Sequence, residues 1–230
     1  MKSFKLAASL AVLLSAAPFA AFAQEEESPF SWEVTAVSDY VWRGVSQSDE
    51  EPTLQAGFTY TSPSGFYAGV WGSGVDFGPG DPNAEVDGFI GYNTDFSDSV
   101  NFDVMINRYT YPGASELNFN ELITTTTFAE NYSLTVAYTN DFGGADAKAW
   151  YVAGGASFGL PNEFSLDLGV GRSLFDDDYS EDYTDWSVGL SRSWGLFSAS
   201  LAYVGTDGNG RDLFGDLADD RVVLSLSIGQ

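Results

Sequence analysis

The sequence predicts an all-β fold: a transmembrane, antiparallel, up-and-down β-barrel of twelve strands. Three observations carry that expectation. Apolar and polar residues alternate with period two along most of the chain. Short and long connections alternate strictly between the alternating runs. The chain starts with an apolar export segment, and no later run approaches the roughly 18 apolar residues of a membrane helix.

Taken in order, Lys2 and Lys5 flank the start of a short apolar stretch, Leu6 to Leu14. Ala21-Phe22-Ala23 fits the small-x-small rule for signal cleavage. The expected layout is a signal peptide over residues 1–23 cut after Ala23, a short periplasmic segment over 24–30, and a barrel over 31–230. Lys148 is then the one lysine left. An exported chain enters the outer of two bacterial membranes only as a closed barrel, because lipid offers backbone N–H and C=O groups no partners.

The predicted strands are 31–42, 53–61, 66–76, 85–95, 100–110, 117–128, 132–141, 148–158, 164–173, 183–193, 197–205 and 220–229. In the clearest, Phe164, Leu166, Leu168 and Val170 oppose Ser165, Asp167, Gly169 and Gly171. The third and sixth carry apolar residues on both phases. A soluble sandwich would hide its apolar phase and leave the small polar one outside. Here the polar phase is mostly Gly, Ser, Thr, Asn and Asp, too small to fill the inside of a sandwich, so the apolar phase is assigned to lipid. Trp32, Tyr40, Trp42, Tyr60, Phe96, Tyr132, Tyr138, Trp150, Trp186, Trp194, Phe197 and Tyr203 fall near strand ends. Rings prefer that depth, where an apolar body meets headgroups. Twelve strands at ordinary spacing and tilt give a backbone radius of roughly 12 Å and a passage of about 10 Å or less.

Composition excludes much. Of 230 residues, 33 are Asp or Glu and 9 are Lys or Arg, with no His and no Cys, for a formal charge of -24. Thiol chemistry, disulfides and histidine-based catalysis are ruled out. The charge repels nucleic-acid phosphates. Gly155-Ala156-Ser157-Phe158-Gly159 matches a nucleophile-elbow pattern but has no histidine to activate Ser157. Asp207 to Arg211 opens like a calcium loop but lacks its glycine and closing glutamate. No pair of carboxylates stands out as catalytic, so the protein is expected not to be an enzyme, and no cofactor is implied.

A charge facing lipid at mid-depth costs about 2–4 kcal/mol for Arg or Lys. Glu33, Asp39, Asp87, Asp95, Asp103, Asp167, Asp185 and Arg221 share the small polar phase. With Arg43 they are the pore-lining candidates. Arg108 and Arg192 fall on the apolar phase near strand ends, where they can snorkel. The long loops are acidic, which implies a rim that concentrates cations within a screening length of roughly 8 Å. Asp176, Asp177, Asp178 and Asp182 are candidates for loose divalent contacts, with no firm metal site.

One stretch is distinctive. Ser38-Asp39-Tyr40-Val41-Trp42-Arg43-Gly44-Val45-Ser46-Gln47-Ser48 is followed by Pro52 to Gly57, Gly65 to Ser73 and Glu85 to Tyr92. Over residues 31–110 this resembles the proteobacterial family of TorF-like porins, conserved proteins of unknown function. The resemblance implies an outer-membrane barrel and a channel, without substrate or catalytic residues. Tyr40 and Trp42 are expected to face headgroups and Arg43 the channel mouth, paired with acids so as to fix the first loop. The expected function is a passive, cation-preferring diffusion channel for ions or small hydrophilic solutes. The alternative is a plugged barrel with a structural or surface role through its acidic loops. Expected partners are outer-membrane lipid and lipopolysaccharide, the barrel-assembly machinery, and small solutes or cations, with no nucleic acid.

Overall fold

A computed structural model describes residues 28–78 and 81–230. The expected signal peptide lies outside the described residues. The strands are β1 (Phe30–Val37), β2 (Val41–Trp42), β3 (Val45–Ser46), β4 (Thr53–Thr61), β5 (Phe66–Gly74), β6 (Ala84–Ser97), β7 (Val100–Thr110), β8 (Phe119–Phe128), β9 (Tyr132–Thr139), β10 (Ala149–Gly159), β11 (Phe164–Phe175), β12 (Tyr183–Trp194), β13 (Phe197–Thr206) and β14 (Arg221–Gly229). Among the described residues, twelve of these, β1 and β4 to β14, form one closed barrel in up-and-down order. Pairing of β1 with β14, with Thr35 opposite Ser227, closes it. Closure satisfies both edges and leaves no strand open to lipid.

The pleat explains the alternation. Leu54, Val70, Ile90, Ile106, Val170, Leu201, Val222 and Leu226 stand exposed on the outer face. A continuous apolar belt of this kind is unstable against water and requires lipid. Thr35, Thr59, Asn107, Thr125, Thr135 and Ser225 are buried on the inner face. Connections 62–65, 98–99, 129–131, 160–163 and 195–196 lie at one end, and the longer 38–52, 75–83, 111–118, 140–148, 176–182 and 207–220 at the other. Arg192 sits near the short-turn end, over the Phe164 ring and 3.8 Å from Glu163.

The interior is packed on one side. Tyr67, Phe89, Met105, Ile123, Ala137, Tyr151 and Ala153 form a buried cluster that Trp71 joins. The large rings lie across glycines of neighbouring strands: a Cβ at Gly91 would collide with Tyr67, and one at Gly69 with Phe89. Toward the short turns, the facing wall carries the small residues Gly155, Gly169, Ser187, Gly189 and Ala202, all half-buried.

One expected strand is too long. β1 stops at Val37, not at Trp42. Ser38 still pairs with Leu224, its N–H donating to the Leu224 carbonyl at 2.9 Å. Asp39 and Tyr40 are then both buried, 5% and 2% exposed. Two consecutive buried residues cannot belong to a strand with one face in lipid. The chain turns inward here, so Tyr40 and Trp42 face the interior and not headgroups.

Leu201 pairs with Leu224 halfway along β13 on the exposed face. Leu201→Arg is expected to lower the stability of the folded barrel in vesicles by about 2–4 kcal/mol. Urea titration of the heat-modifiable form measures this; Leu196→Arg, at the short turn, serves as the interfacial control.

Candidate functional site

The inward turn builds a two-stranded hairpin inside the barrel. In it Val41 pairs with Ser46 and Trp42 with Val45. The two residues between have left-handed backbones, φ +50° at Arg43 and +82° at Gly44. Such a turn matches strand twist, and glycine at its second position suits it. Arginine at the first costs roughly 1–3 kcal/mol and persists only if held.

What holds it is the opposite wall. Arg43 Nη2 donates to Oε1 and Oε2 of Glu121 on β8, both at 2.8 Å. The two side chains are 6% and 1% exposed. The guanidinium carbon lies 4.2 Å from the ring centroids of both Trp42 and Tyr151. Tyr109 donates its hydroxyl to Glu121 at 3.0 Å, and Tyr151 donates to Asp185 at 3.1 Å. Gly44 has no room for a side chain: a Cβ would stand 2.6 Å from Thr206 Cγ2 and 2.8 Å from Asp185 Cβ. The hairpin therefore crosses the interior from β1 and lodges its tip against β8, β10, β12 and β13. Removing one partner of this pair would leave the other charge buried and uncompensated, at a cost of about 3–5 kcal/mol.

The base of the loop is clamped by Arg221 at the start of β14. Its Nη1 donates to Asp39 at 2.8 Å, its Nη2 lies 3.0 Å from Glu50, and its Nε donates to the Asp219 carbonyl at 3.1 Å. Ser46 also donates to Asp39, at 2.6 Å. The last long loop covers the hairpin. Its helix α1 (Gly208–Phe214) is capped by Asp207, which accepts from the Gly210 N–H. Beyond it, Ala218 packs on Val45 and Tyr183. Rings close over the rest: Phe142 of the 140–148 loop stacks on Trp42 at 6.1 Å, and Tyr109 of β7 stacks on Phe119 of β8 at 4.3 Å.

The predicted residues fall into two levels of the inner face. Asp39, Arg43, Asp87, Asp185 and Arg221 belong to the long-loop half. Asp87 accepts from Asn107 Nδ2 at 2.8 Å. Glu33, Asp103 and Asp167 belong to the short-turn half. Thr35 donates to Glu33 at 3.0 Å, Tyr67 to Asp103 at 2.8 Å, and Ser157 and Ser191 to Asp167 at 2.7 and 2.8 Å. Asp95 stands apart, exposed at the short-turn end, and accepts from Asn101. Two interior acids were missed. Glu85 accepts from the Tyr40 hydroxyl at 3.0 Å, and Glu121 is the Arg43 partner. Glu85 lies two residues from Asp87 on the same phase, so strand parity was the signal that could have found it; Glu121 lies in a strand with apolar residues on both phases, where parity gives no signal.

Of the four loop acids, Asp176, Asp177 and Asp178 line one open cleft with Asp146 and Tyr179. Asp176 also accepts from the Lys148 N–H, while Asp182 stands outside the cleft and accepts from the Phe175 N–H and from Arg172. No three acidic side chains among the described residues converge on a metal-sized space.

Short turns at one end, long loops at the other and a first loop folded inside a closed twelve-stranded barrel define a porin-like fold. The chain belongs to the family described as "Bacterial protein of unknown function (Gcw_chp)", whose model matches residues 23–227. Solved structures of similar fold include the NanC porin, at 10% identity and a TM-score of 0.57, covering 86% of this chain and 97% of that one. The KdgM porin matches at 8% identity and a TM-score of 0.56, with the same coverage. A further KdgM structure, in complex with disordered oligogalacturonate, matches at 8% identity and a TM-score of 0.54, covering 86% of this chain and 96% of that one. No curated protein sequence matches the chain.

Gly44→Ala tests the fit of the tip. The new Cβ strains a left-handed residue and strikes Thr206 and Asp185, so the hairpin should undock more often. Tryptic cleavage after Arg43 is expected to rise about tenfold or more, read by mass spectrometry of folded protein; an unchanged rate would show that the tip is not seated.

Proposed function

We propose that this protein is a channel of the bacterial outer membrane, exported by a signal peptide cut after Ala23, that passes small cations or neutral hydrophilic solutes in preference to anions. In this reading the long loops face outward, and kinship with TorF-like porins extends from the 31–110 stretch to the whole barrel. The observation that carries it is the charge of the inner face. Glu33, Asp39, Glu85, Asp87, Asp103, Glu121, Asp167 and Asp185 stand there against Arg43 and Arg221. Carboxylates outnumber guanidiniums in a low-dielectric enclosure, where field lines focus and cation occupancy rises. The KdgM neighbour is described with oligogalacturonate, a polyanion. Such a ligand would meet repulsion here, so this barrel's solutes are of another charge class.

A second reading has its own support. The hairpin, pinned to the far wall and roofed by rings, favours a plugged barrel whose acidic loops form the working surface. Both readings make the Arg43–Glu121 contact the closing element.

Single-channel recording across a salt gradient separates the two. Discrete steps with a cation-directed reversal potential are expected, and Glu85→Gln with Asp87→Asn should move that potential toward zero. An anion-directed potential would overturn the charge argument. Silence from folded wild type and from Arg43→Gly alike would favour the plugged barrel. Added oligogalacturonate is expected neither to block nor to bind.

A further inference from the structure

We propose that Glu121, Tyr109, Tyr151 and Asp185 form a recognition site for small organic cations bearing a guanidinium or primary ammonium group, and that Arg43 is its built-in occupant. The site deepens the channel reading and rests on it for its role: a cation of this class would be both the trigger that releases the hairpin and a solute that the channel admits.

The wall supplies a complete receptor without the hairpin. Its residues come from β7, β8, β10 and β12, strands of the barrel wall rather than of the first loop. The Tyr109 and Tyr151 hydroxyls hold the two carboxylates by hydrogen bonds of 3.0 and 3.1 Å. Those donors fix Glu121 and Asp185 whether or not a guanidinium is present. The Tyr151 ring offers its face at 4.2 Å, and Glu121 offers two acceptors at 2.8 Å. A carboxylate beside an aromatic face is the chemistry that selects organic cations over hydrated metal ions.

Arg43 does not use the site fully. Asp185 Oδ2 is buried without a hydrogen-bond partner, and so is Arg43 Nε. A cavity of about 20 Å³ borders Arg43 on the side of Trp42, Asp87, Asn107 and Tyr109. Buried acceptors left unpaired are costly. A ligand with a second donor group can engage both carboxylates, whereas Arg43, tethered at a strained left-handed residue, engages one. The tether gives Arg43 a high effective concentration, so the external cation must compete against it.

The probe is agmatine, which carries a guanidinium and an ammonium group. Arg43→Gly empties the site and suits the left-handed backbone, so the barrel should fold, as heat-modifiable mobility checks. In detergent, calorimetry is expected to show Arg43→Gly binding agmatine at least about tenfold more tightly than both wild type and Arg43→Gly/Glu121→Gln, since the double variant lacks the charged acceptor. Equal binding by all three would overturn the proposal. In wild type, saturating agmatine should speed tryptic cleavage after Arg43, and an unchanged rate would equally overturn it. Bilayer recordings keep the two ideas apart. Tight binding without conductance in any variant would defeat the channel reading and leave the site standing. Conductance without binding would defeat the site and leave the channel.

Discussion

A guanidinium held inside a barrel, 2.8 Å from a carboxylate on the opposite wall, organises the long-loop half of this protein. Burial strips water from both charges, so the contact survives only because each has other partners. Glu121 receives the Tyr109 hydroxyl, and Arg43 lies between the Trp42 and Tyr151 rings. The same contact holds Arg43 in a backbone region that arginine avoids and presses Gly44 against Thr206 and Asp185. Without it the tip has no reason to stay, and the loops above lose the surface on which Ala218 and Phe142 rest. Arg221 acts at the other end of the loop by tying Asp39 and Glu50 to the start of β14. The first loop is thus fastened at its tip and at its base.

The barrel was legible because one physical rule governs every strand. Lipid outside and small polar groups inside impose period two, and closure imposes the alternation of short and long connections. Asp87, Asp103, Asp167 and Asp185 could be placed inside from parity alone. The first loop was not legible for the same reason. Tyr40 and Trp42 continue the parity of Trp32, Val34 and Ala36, so they read as lipid-facing rings at a strand end. Only the tertiary contacts of Asp39 and Arg43 reveal that the strand has ended and the chain has turned inward. Glu121 escaped because its segment carries apolar residues on both phases: Phe119 and Ile123 face inward beside it, while Leu122 faces lipid. Inward-facing apolar residues are what a filled interior requires, and a count of polar phases cannot anticipate them.

The two halves of the interior have different jobs in this account. Toward the short turns the wall is built of small residues such as Gly155, Gly169 and Gly189, and Asp103 and Asp167 are satisfied by hydroxyl and amide donors. Toward the long loops, rings and the hairpin fill the space, and the unpaired acceptors of Asp87, Asn107 and Asp185 gather there. Unsatisfied polar atoms in a packed region mark a place held ready for rearrangement rather than a settled core. A loop that leaves as a unit would expose those acceptors to whatever cation enters.

The central claim is that Arg43 and Glu121 together hold the hairpin down. A double-mutant cycle with Arg43→Gly and Glu121→Gln tests it most directly, read by native-state hydrogen exchange at the Gln47 amide, which donates to the Tyr40 carbonyl within the hairpin. The account predicts slow exchange in wild type, loss of protection in either single variant, and a coupling energy of about 1–3 kcal/mol. Additive effects, or a Gln47 amide that exchanges freely in wild type, would contradict it.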